Sequence, residues 1–197
     1  MKRFLIVCLV LFCAGCAGKG SGVVEKNGLS KTYNFFKDFD SNKYYVCFFD
    51  RNSSKNDDTK IIMARDGGKY YYSIEGEIHS SIIQKDGVKY TLNYNTSTYF
   101  KEDSDVHDYS IGILPSNINR LKKMSYKTGR SKVFNLTYVF EKFVNDNGET
   151  TYYFKGSKLI YVKYKNVYRE ILLRFNYMNK KVSSKLFDVG DLTEVTY

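Results

Sequence analysis

The sequence predicts a mainly β (α+β) fold built on a single antiparallel sheet. Apolar and polar residues alternate along several stretches of the 197-residue chain, which is the period of strands that bury one face. Short turn-forming motifs rich in Gly, Asn and Asp separate these stretches. Because short connections favour antiparallel neighbours, the pattern indicates a meander of roughly eight to ten strands.

Four hairpins and one further strand account for most of the alternating stretches. The predicted hairpins span residues 60–76, 77–94, 132–155 and 158–177, and the further strand lies near residues 43–51. The predicted turns are Asp66-Gly67-Gly68, Asp86-Gly87, Asn147-Gly148 and Gly156-Ser157. Gly and Asn suit these positions because tight hairpin turns require a positive φ.

A helical pattern precedes the first of these strands. Leu29, Tyr33 and Phe36 recur at positions i, i+4 and i+7. Ser30 stands where an N-cap is expected. Residues 179–186 are a further candidate for a single helical turn.

A second short helix is predicted where Pro115 opens a segment with Ile118 and Leu121 on one side. The predicted helices are small beside the sheet. An apolar sheet face that they leave uncovered needs a second layer or a ligand.

Three alternating stretches supply the predicted lining of a ligand cavity. If the sheet curls around the helices, the enclosed space is apolar, and barrels of this size commonly hold one small lipophilic ligand. The predicted cavity residues are Val88, Tyr90, Leu92, Tyr94, Phe134, Leu136, Tyr138, Phe140, Ile171, Leu173 and Phe175.

The N-terminal residues have the three-part pattern of an export signal. Lys2 and Arg3 precede an apolar run at residues 4–12, and small residues follow. The run is too short to span a bilayer, which needs about 20 apolar residues. Cys16, directly after Ala-Gly, resembles the lipobox cysteine of bacterial lipoproteins, which implies lipidation of Cys16 and cleavage before it. A secretory signal with Cys16 as an unmodified mature N-terminus is the alternative.

This resemblance divides the chain into a signal peptide (residues 1–15), a lipidated tether (16–28) and one domain (29–197). It implies a location at the extracytoplasmic face of the cell membrane, because two or more acyl chains anchor a protein stably. The formal net charge of +10 suits anionic partners such as lipid head groups, although solubility alone would also explain it. Export argues against nucleic acid as a partner.

Cys47 is the one cysteine of four that lies beyond the predicted signal and its lipidated residue. We therefore expect no internal disulfide. The apolar residues on both sides of Cys47 predict a buried thiol rather than a nucleophile.

The sequence contains no motif that indicates catalysis. It contains no His-x-x-x-His, Gly-x-Ser-x-Gly or phosphate-loop motif, and no paired-Cys metal motif. His107 lies among Asp103, Asp105 and Asp108, which could together hold a divalent cation. We interpret this stretch as a solvated loop, because the Gly and the bidentate Glu of a calcium loop are missing. We therefore expect a non-enzymatic protein without a metal or a cofactor.

Several stretches resemble the LolA-like family of envelope lipid and lipoprotein carriers. They are residues 69–72, 84–90, 99–101, 151–159 and 186–189. The resemblance implies a single strongly curved antiparallel sheet that forms an incomplete barrel, plugged by two or three short helices. Spore-germination lipoproteins of anaerobic Gram-positive bacteria are similar in size and layout, and act by binding a partner amidase.

Two functions follow as hypotheses. The first is a membrane-anchored lipoprotein that binds a lipid, an acyl chain or another lipophilic ligand against the concave face of its sheet. The second is a protein-interaction module of the cell envelope that binds or regulates a partner enzyme, or forms a homodimer through an exposed strand edge.

Overall fold

The computed structural model describes residues 22–51, 59–105, 110, 112–146 and 148–196. These residues form one sheet of thirteen strands, two short α-helices and one 3-10 helix. The strands are β1 (Val24–Lys26), β2 (Lys43–Asp50), β3 (Lys60–Asp66), β4 (Lys69–Glu75), β5 (His79–Lys85), β6 (Val88–Asn93), β7 (Thr98–Asp103), β8 (Tyr126–Val133), β9 (Leu136–Asn145), β10 (Gly148–Lys155), β11 (Lys158–Lys165), β12 (Glu170–Asn179) and β13 (Thr193–Glu194). The helices are α1 (Lys31–Phe36), α2 (Ile118–Lys123) and the 3-10 helix Ser184–Phe187.

The strand order across the sheet is β1-β8-β9-β10-β11-β12-β2-β3-β4-β5-β6-β7-β13, and the sheet is not closed. All neighbours are antiparallel except β7 and β13, which are parallel. The predicted mainly β fold with one large sheet is therefore confirmed.

The predicted number of strands was too low. The alternation missed β1 and β13, which have three and two residues. It also missed β7 and β8, whose sequences are mostly polar and half exposed. Strands of these kinds bury too little apolar surface to leave a period-2 pattern.

Strand β2 joins the two halves of the sheet by pairing with β12. Phe48 lies opposite Phe175, and Asp50 lies opposite Leu173. Apart from the edge strands β1 and β13, consecutive strands pair with each other within each half. In the turn between β5 and β6, Asp86 and Gly87 both adopt a positive φ.

The two α-helices pack on one side of the sheet, which we call the helix-covered face and which carries Phe48, Tyr152 and Leu173. Phe36 of α1 and Leu121 of α2 are buried there. None of the helices in the described ranges is long and apolar enough to cross a membrane.

Both helix predictions are confirmed, with shifted boundaries. Ser30 caps α1, because its Oγ accepts a hydrogen bond from the Tyr33 amide at 2.9 Å. Leu29 lies before the helix and is exposed. The second helix begins after Asn117 rather than at Pro115, because the Asn117 side chain accepts from the Arg120 amide and serves as the N-cap.

The other side of the sheet, which we call the opposite face, carries Ile83, Leu92 and Tyr161. Residues 182–192, which include the 3-10 helix, pack over its β3–β7 part through Phe187. On the β8–β12 part, Tyr161 belongs to a separate cluster that contains strand residues alone. The sheet is thus apolar on both faces, whereas the alternation indicated one apolar and one polar face.

Residues 24–26, within the predicted tether, form β1 and pair with β8. Val24 lies opposite Thr128, and Lys26 lies opposite Tyr126. Main-chain hydrogen bonds to an otherwise unpaired sheet edge favour this extended conformation. Cys16 and the predicted signal peptide lie outside the described residues.

Candidate ligand cavity

A cavity of about 1150 Å³ lies on the helix-covered face. It is bounded by β3, β4 and β12, and by the turns that follow β9 and β11. Its apolar wall consists of Ile61, Met63, Tyr72, Ile74, Ile113, Tyr164, Ile171 and Leu173. These positions follow from strand geometry, since Ile61 and Met63, like Ile171 and Leu173, are two residues apart and share a face.

Charged side chains line the end of the cavity beside the β9–β10 and β11–β12 turns, which we call its entrance. Asp50, Asp146 and Glu149 contribute carboxylates, and Lys165 and Arg169 contribute cations. The Arg169 guanidinium lies 5.5 Å from the centre of the Tyr164 ring. A ligand with an apolar body and a polar end would find both kinds of surface here.

The turn at residues 166–169 forms part of this entrance and is shaped by Asn166. The Asn166 side-chain oxygen accepts hydrogen bonds from the Tyr168 amide at 3.0 Å and the Arg169 amide at 2.9 Å. Such Asx geometry leaves the side chains of Val167 and Tyr168 exposed.

Gly148 brings the β9–β10 turn close to the end of β11 at the cavity. Its φ is +133°, and a Cβ at this position would lie 2.4 Å from the Lys165 carbonyl oxygen. Only glycine fits this close approach without a backbone shift. The predicted Asn147-Gly148 turn therefore has a packing role as well as a conformational one, although Asn147 lies outside the described residues.

The segment at residues 112–114 closes one side of the cavity and is held by strand β10. The Thr150 hydroxyl donates to the Gly112 carbonyl, and the Tyr152 hydroxyl donates to the Ile113 carbonyl at 3.2 Å. Burial raises the pKa of Tyr152, so the hydroxyl remains a neutral donor at ordinary pH.

Glu141 fixes α1 to the sheet on the helix-covered face. This buried carboxylate accepts hydrogen bonds from the Lys31 amide at 2.8 Å, the Thr32 amide at 2.8 Å and the Thr32 hydroxyl at 2.7 Å. A carboxylate at a helix N-terminus satisfies amides that have no partner within the helix. Burial and the charge of Glu141 raise the pKa of Tyr126 nearby.

The sequence reasoning missed Glu141, although its position contained a signal. Glu141 is a lone acidic residue that shares a strand side with the apolar Phe143 and Val139. An acidic residue on an apolar strand side indicates a buried hydrogen-bonded carboxylate.

Of the eleven predicted cavity residues, Ile171 and Leu173 line the cavity. Phe175 belongs to the same apolar cluster but packs beside the cavity, with its ring 5.3 Å from Phe35 and 5.9 Å from Phe48. The three predicted residues of β12 thus lie together on the helix-covered face.

The predicted cavity residues of β6 lie on the opposite face, which corrects their assignment to one shared cavity. Tyr90, Leu92 and Tyr94 pack against residues 182–192. Val88, two residues before Tyr90, shares their strand side. Alternation identifies residues that share a side of one strand, but the side that faces a given cover depends on the fold.

The predicted cavity residues near β9 also lie on the opposite face. Tyr138 is buried there against Tyr161, and Phe140 contacts Tyr153. Phe134 and Leu136 are 62% and 60% exposed, since Phe134 occupies the β8–β9 turn and Leu136 begins β9 directly after it. The alternation predicts Phe134 inside a strand because its side chain continues the apolar pattern of the residues that follow.

The remaining candidates are the acidic stretch around His107 and the thiol of Cys47. His107 and Asp108 lie outside those parts, and the residues inside them include no cluster of three His, Cys, Asp or Glu side chains suited to a metal ion. Cys47 is a buried free thiol, which confirms its prediction.

Comparison of the sequence with protein-family models and with curated proteins finds no match. The observations that bear on function are therefore the cavity, its charged entrance and the surface of this chain.

Proposed function

We propose that the protein is a membrane-anchored, non-enzymatic lipoprotein that binds a lipid or another lipophilic ligand in the cavity on its helix-covered face. The observation that carries this proposal is the cavity of about 1150 Å³ with an apolar wall. Pockets for small ligands commonly have volumes of about 300–1,000 Å³ and are mainly apolar. The cavity is thus large enough for an acyl chain with part of a head group.

Apolar burial would supply most of the affinity. Ligand surface removed from water against Ile61, Met63 and Leu173 contributes about 25 cal/mol per Å². Lys165 and Arg169 at the entrance are placed to pair with an anionic head group, while Asp146 and Glu149 would disfavour a second negative charge.

The proposed architecture is an incomplete LolA-like barrel. The open sheet has two short helices on one face, and α1 is held there by the carboxylate of Glu141. In this interpretation the helices plug part of the concave face and leave the cavity as the ligand site.

The proposed anchor is a lipid on Cys16, which places the domain at the extracytoplasmic face of the cell membrane. This part of the proposal depends on the lipobox-like sequence. Intact-mass measurement of protein from membranes tests it, since processing would remove residues 1–15 and add acyl chains to Cys16. A mass that matches the unprocessed chain would contradict the anchor.

The test of ligand binding is mass spectrometry of organic extracts. The chain from residue 22 onward is purified without detergent from a membrane-rich host, so that the anchor contributes no lipid. We expect a lipid in a fixed molar ratio to protein. A domain that is folded and free of lipid would contradict this proposal.

Two matched variants connect a bound lipid to the cavity. Ile171→Trp fills the cavity with a larger side chain, and we expect it to remove the lipid. Val144→Trp makes a comparable change at an exposed position and should retain the lipid. A thermal unfolding transition in both variants shows that loss of lipid does not result from loss of the fold.

The exposed edge of β1 favours a second candidate function, a protein-interaction module. Val23 and Val24 are exposed at this edge, where another strand can add by main-chain hydrogen bonds. Light scattering after gel filtration tests for a homodimer, and Val24→Pro should abolish a dimer formed through this edge.

A further inference from the structure

Two turns at opposite ends of the sheet expose apolar side chains. The β8–β9 turn, residues 133–136, exposes Phe134 and Leu136. The turn at residues 166–169, beside the cavity entrance, exposes Val167 and Tyr168. Adjacent exposed apolar residues at the end of a hairpin are typical of a surface that contacts a membrane or a partner.

The β8–β9 turn has an unusual residue for its conformation. Phe134 has a φ of +52°, in the left-handed region that favours Gly or Asn at a tight hairpin turn. Its ring touches Tyr161 with a centre-to-centre distance of 6.1 Å, yet 62% of the side chain remains exposed. Packing within the domain therefore does not explain an aromatic residue at this position.

Three lysines lie close to the β8–β9 turn. Lys132 lies just before it, and Lys155 and Lys158 flank the neighbouring β10–β11 turn at the same end of the sheet. None of these three forms an ion pair with a described residue. The Lys31 ammonium also reaches this end, where it donates to the Gly156 carbonyl at 2.9 Å.

The charges at the other end of the sheet are mixed. Asp146, Glu149 and Glu170 lie near the turn at residues 166–169, and Glu170 pairs with Lys163. Anionic lipid head groups would be attracted to the lysines around the β8–β9 turn, whereas at the other end carboxylates lie beside the cations and weaken such attraction.

The direction of β1 also favours the end of the sheet that carries the β8–β9 turn. Strand β1 runs antiparallel to β8, so its N-terminal end points toward the β8–β9 turn. Gly22 lies against Gly129, four residues before Val133, which corresponds to about 13 Å along the strand. Cys16 is six residues before Gly22, and six residues span at most about 20 Å. The chain from Cys16 is therefore long enough to reach the level of the turn.

We propose that the β8–β9 turn inserts Phe134 and Leu136 into the surface of an anionic bilayer, while Lys132, Lys155 and Lys158 contact the lipid head groups. The bilayer is the one that holds the anchor, so this inference rests on the membrane anchorage of the proposed function. In this orientation the cavity entrance points away from the membrane.

The test uses the natural absence of tryptophan from the chain. Phe134→Trp gives a single fluorescent reporter in the full chain, which is reconstituted into vesicles of phosphatidylcholine and phosphatidylglycerol with brominated acyl chains. We expect a blue-shifted emission that the bromine atoms quench. The shift and the quenching should both decrease in vesicles of phosphatidylcholine alone, because the anionic charge is lost.

Val144→Trp is the matched control. Val144 is 58% exposed, does not line the cavity, and lies eight residues after Leu136 on β9, which corresponds to about 26 Å along the strand. Its emission should not be quenched. Leu136→Trp is a second reporter at the proposed membrane surface, with no positive φ, and should behave like Phe134→Trp.

Two results would overturn the inference. One is equal quenching of reporters at both ends of the sheet, and the other is the absence of quenching in both Phe134→Trp and Leu136→Trp. The intact mass of the same preparation reports separately whether Cys16 carries lipid. Extraction of the cavity ligand is also a separate measurement, so failure of the membrane contact is distinguished from failure of the proposed function.

Discussion

The two faces of the sheet are covered in different ways. On the helix-covered face, short helices are held by both apolar and polar contacts, of which Phe36 and Glu141 are the centres. On the opposite face, an irregular C-terminal segment packs Phe187 onto Ile83 and Leu92. The large cavity lies on the first face, where two six-residue helices cover a wide sheet. Two short helices that are held by Phe36 and Glu141 thus leave open space on this face for a ligand.

The largest expected effect comes from removing the aromatic centre of the helix-covered face. Phe36→Ala should lower the free energy of unfolding by about 4 kcal/mol, since Phe36 is fully buried among Phe39 and Tyr152. Chemical denaturation measures this change. The matched variant Phe187→Ala on the opposite face should cost less, about 3 kcal/mol, because residues 182–192 can partly close the gap. A larger loss for Phe187→Ala would reverse the comparison.

The next effect tests the polar attachment of α1. Glu141→Leu leaves the Lys31 and Thr32 amides without their acceptor and should cost about 3 kcal/mol of folding free energy. Glu141→Gln retains one acceptor oxygen and should cost less. The same denaturation experiment measures both. Equal stability of the Leu variant and the natural chain would show that apolar packing alone holds the helix.

A smaller effect concerns the pH dependence of the helix-covered face. Burial raises the pKa of Tyr152 above its ordinary value of 10.0. Its contribution to stability is therefore complete below about pH 10, and is lost as pH rises further because only the unfolded chain releases the proton. One such tyrosine changes the unfolding free energy by about 1.4 kcal/mol per pH unit.

Tyr152→Phe tests this pH dependence. The variant should be about 1 kcal/mol less stable near neutral pH, because the Ile113 carbonyl loses its donor. Between about pH 10 and 11 the variant should lose less stability than the natural chain does. The difference should be at most about 1.4 kcal/mol per pH unit, which is the slope for one proton. Unfolding measured across this range checks both expectations, and parallel pH curves would exclude Tyr152 as a source of the slope.

The smallest expected effect separates exposed from buried apolar residues. Leu136→Asp should change the free energy of unfolding by no more than about 0.5 kcal/mol, because 60% of the side chain is exposed and it is remote from the cavity. It should also leave binding of a cavity ligand unchanged. Loss of the fold in this variant would show that Leu136 is part of a core.

Nine of the thirteen strands, and the turns between them, were predictable because their signals are local. Alternation predicted β6 and placed Tyr90 and Leu92 on the same side of that strand. The Asp86-Gly87 pair predicted the turn before it. The helix cap at Ser30 was predictable for the same reason, since its hydrogen bond joins residues three positions apart.

The composition of the cavity was not predictable, because it depends on long-range packing. Leu92 and Leu173 both occur in well-formed alternating stretches, yet one faces residues 182–192 and the other faces the cavity. Period-2 patterning predicts which residues share a side of a strand, but it does not predict what covers that side. In this fold both faces of the sheet carry apolar clusters, so an apolar strand side can belong to either face.

The pairing of β2 with β12 has a consequence for the order of folding. More than a hundred residues separate these partners along the chain, and the ladder between them is what joins the two halves. Loop closure on this scale is entropically costly, and folds dominated by such contacts form slowly. During synthesis, β2 must remain an unsatisfied strand edge until residues 170–179 have emerged. The interval in which β2 can pair with the wrong partner therefore lasts until more than a hundred further residues have been made.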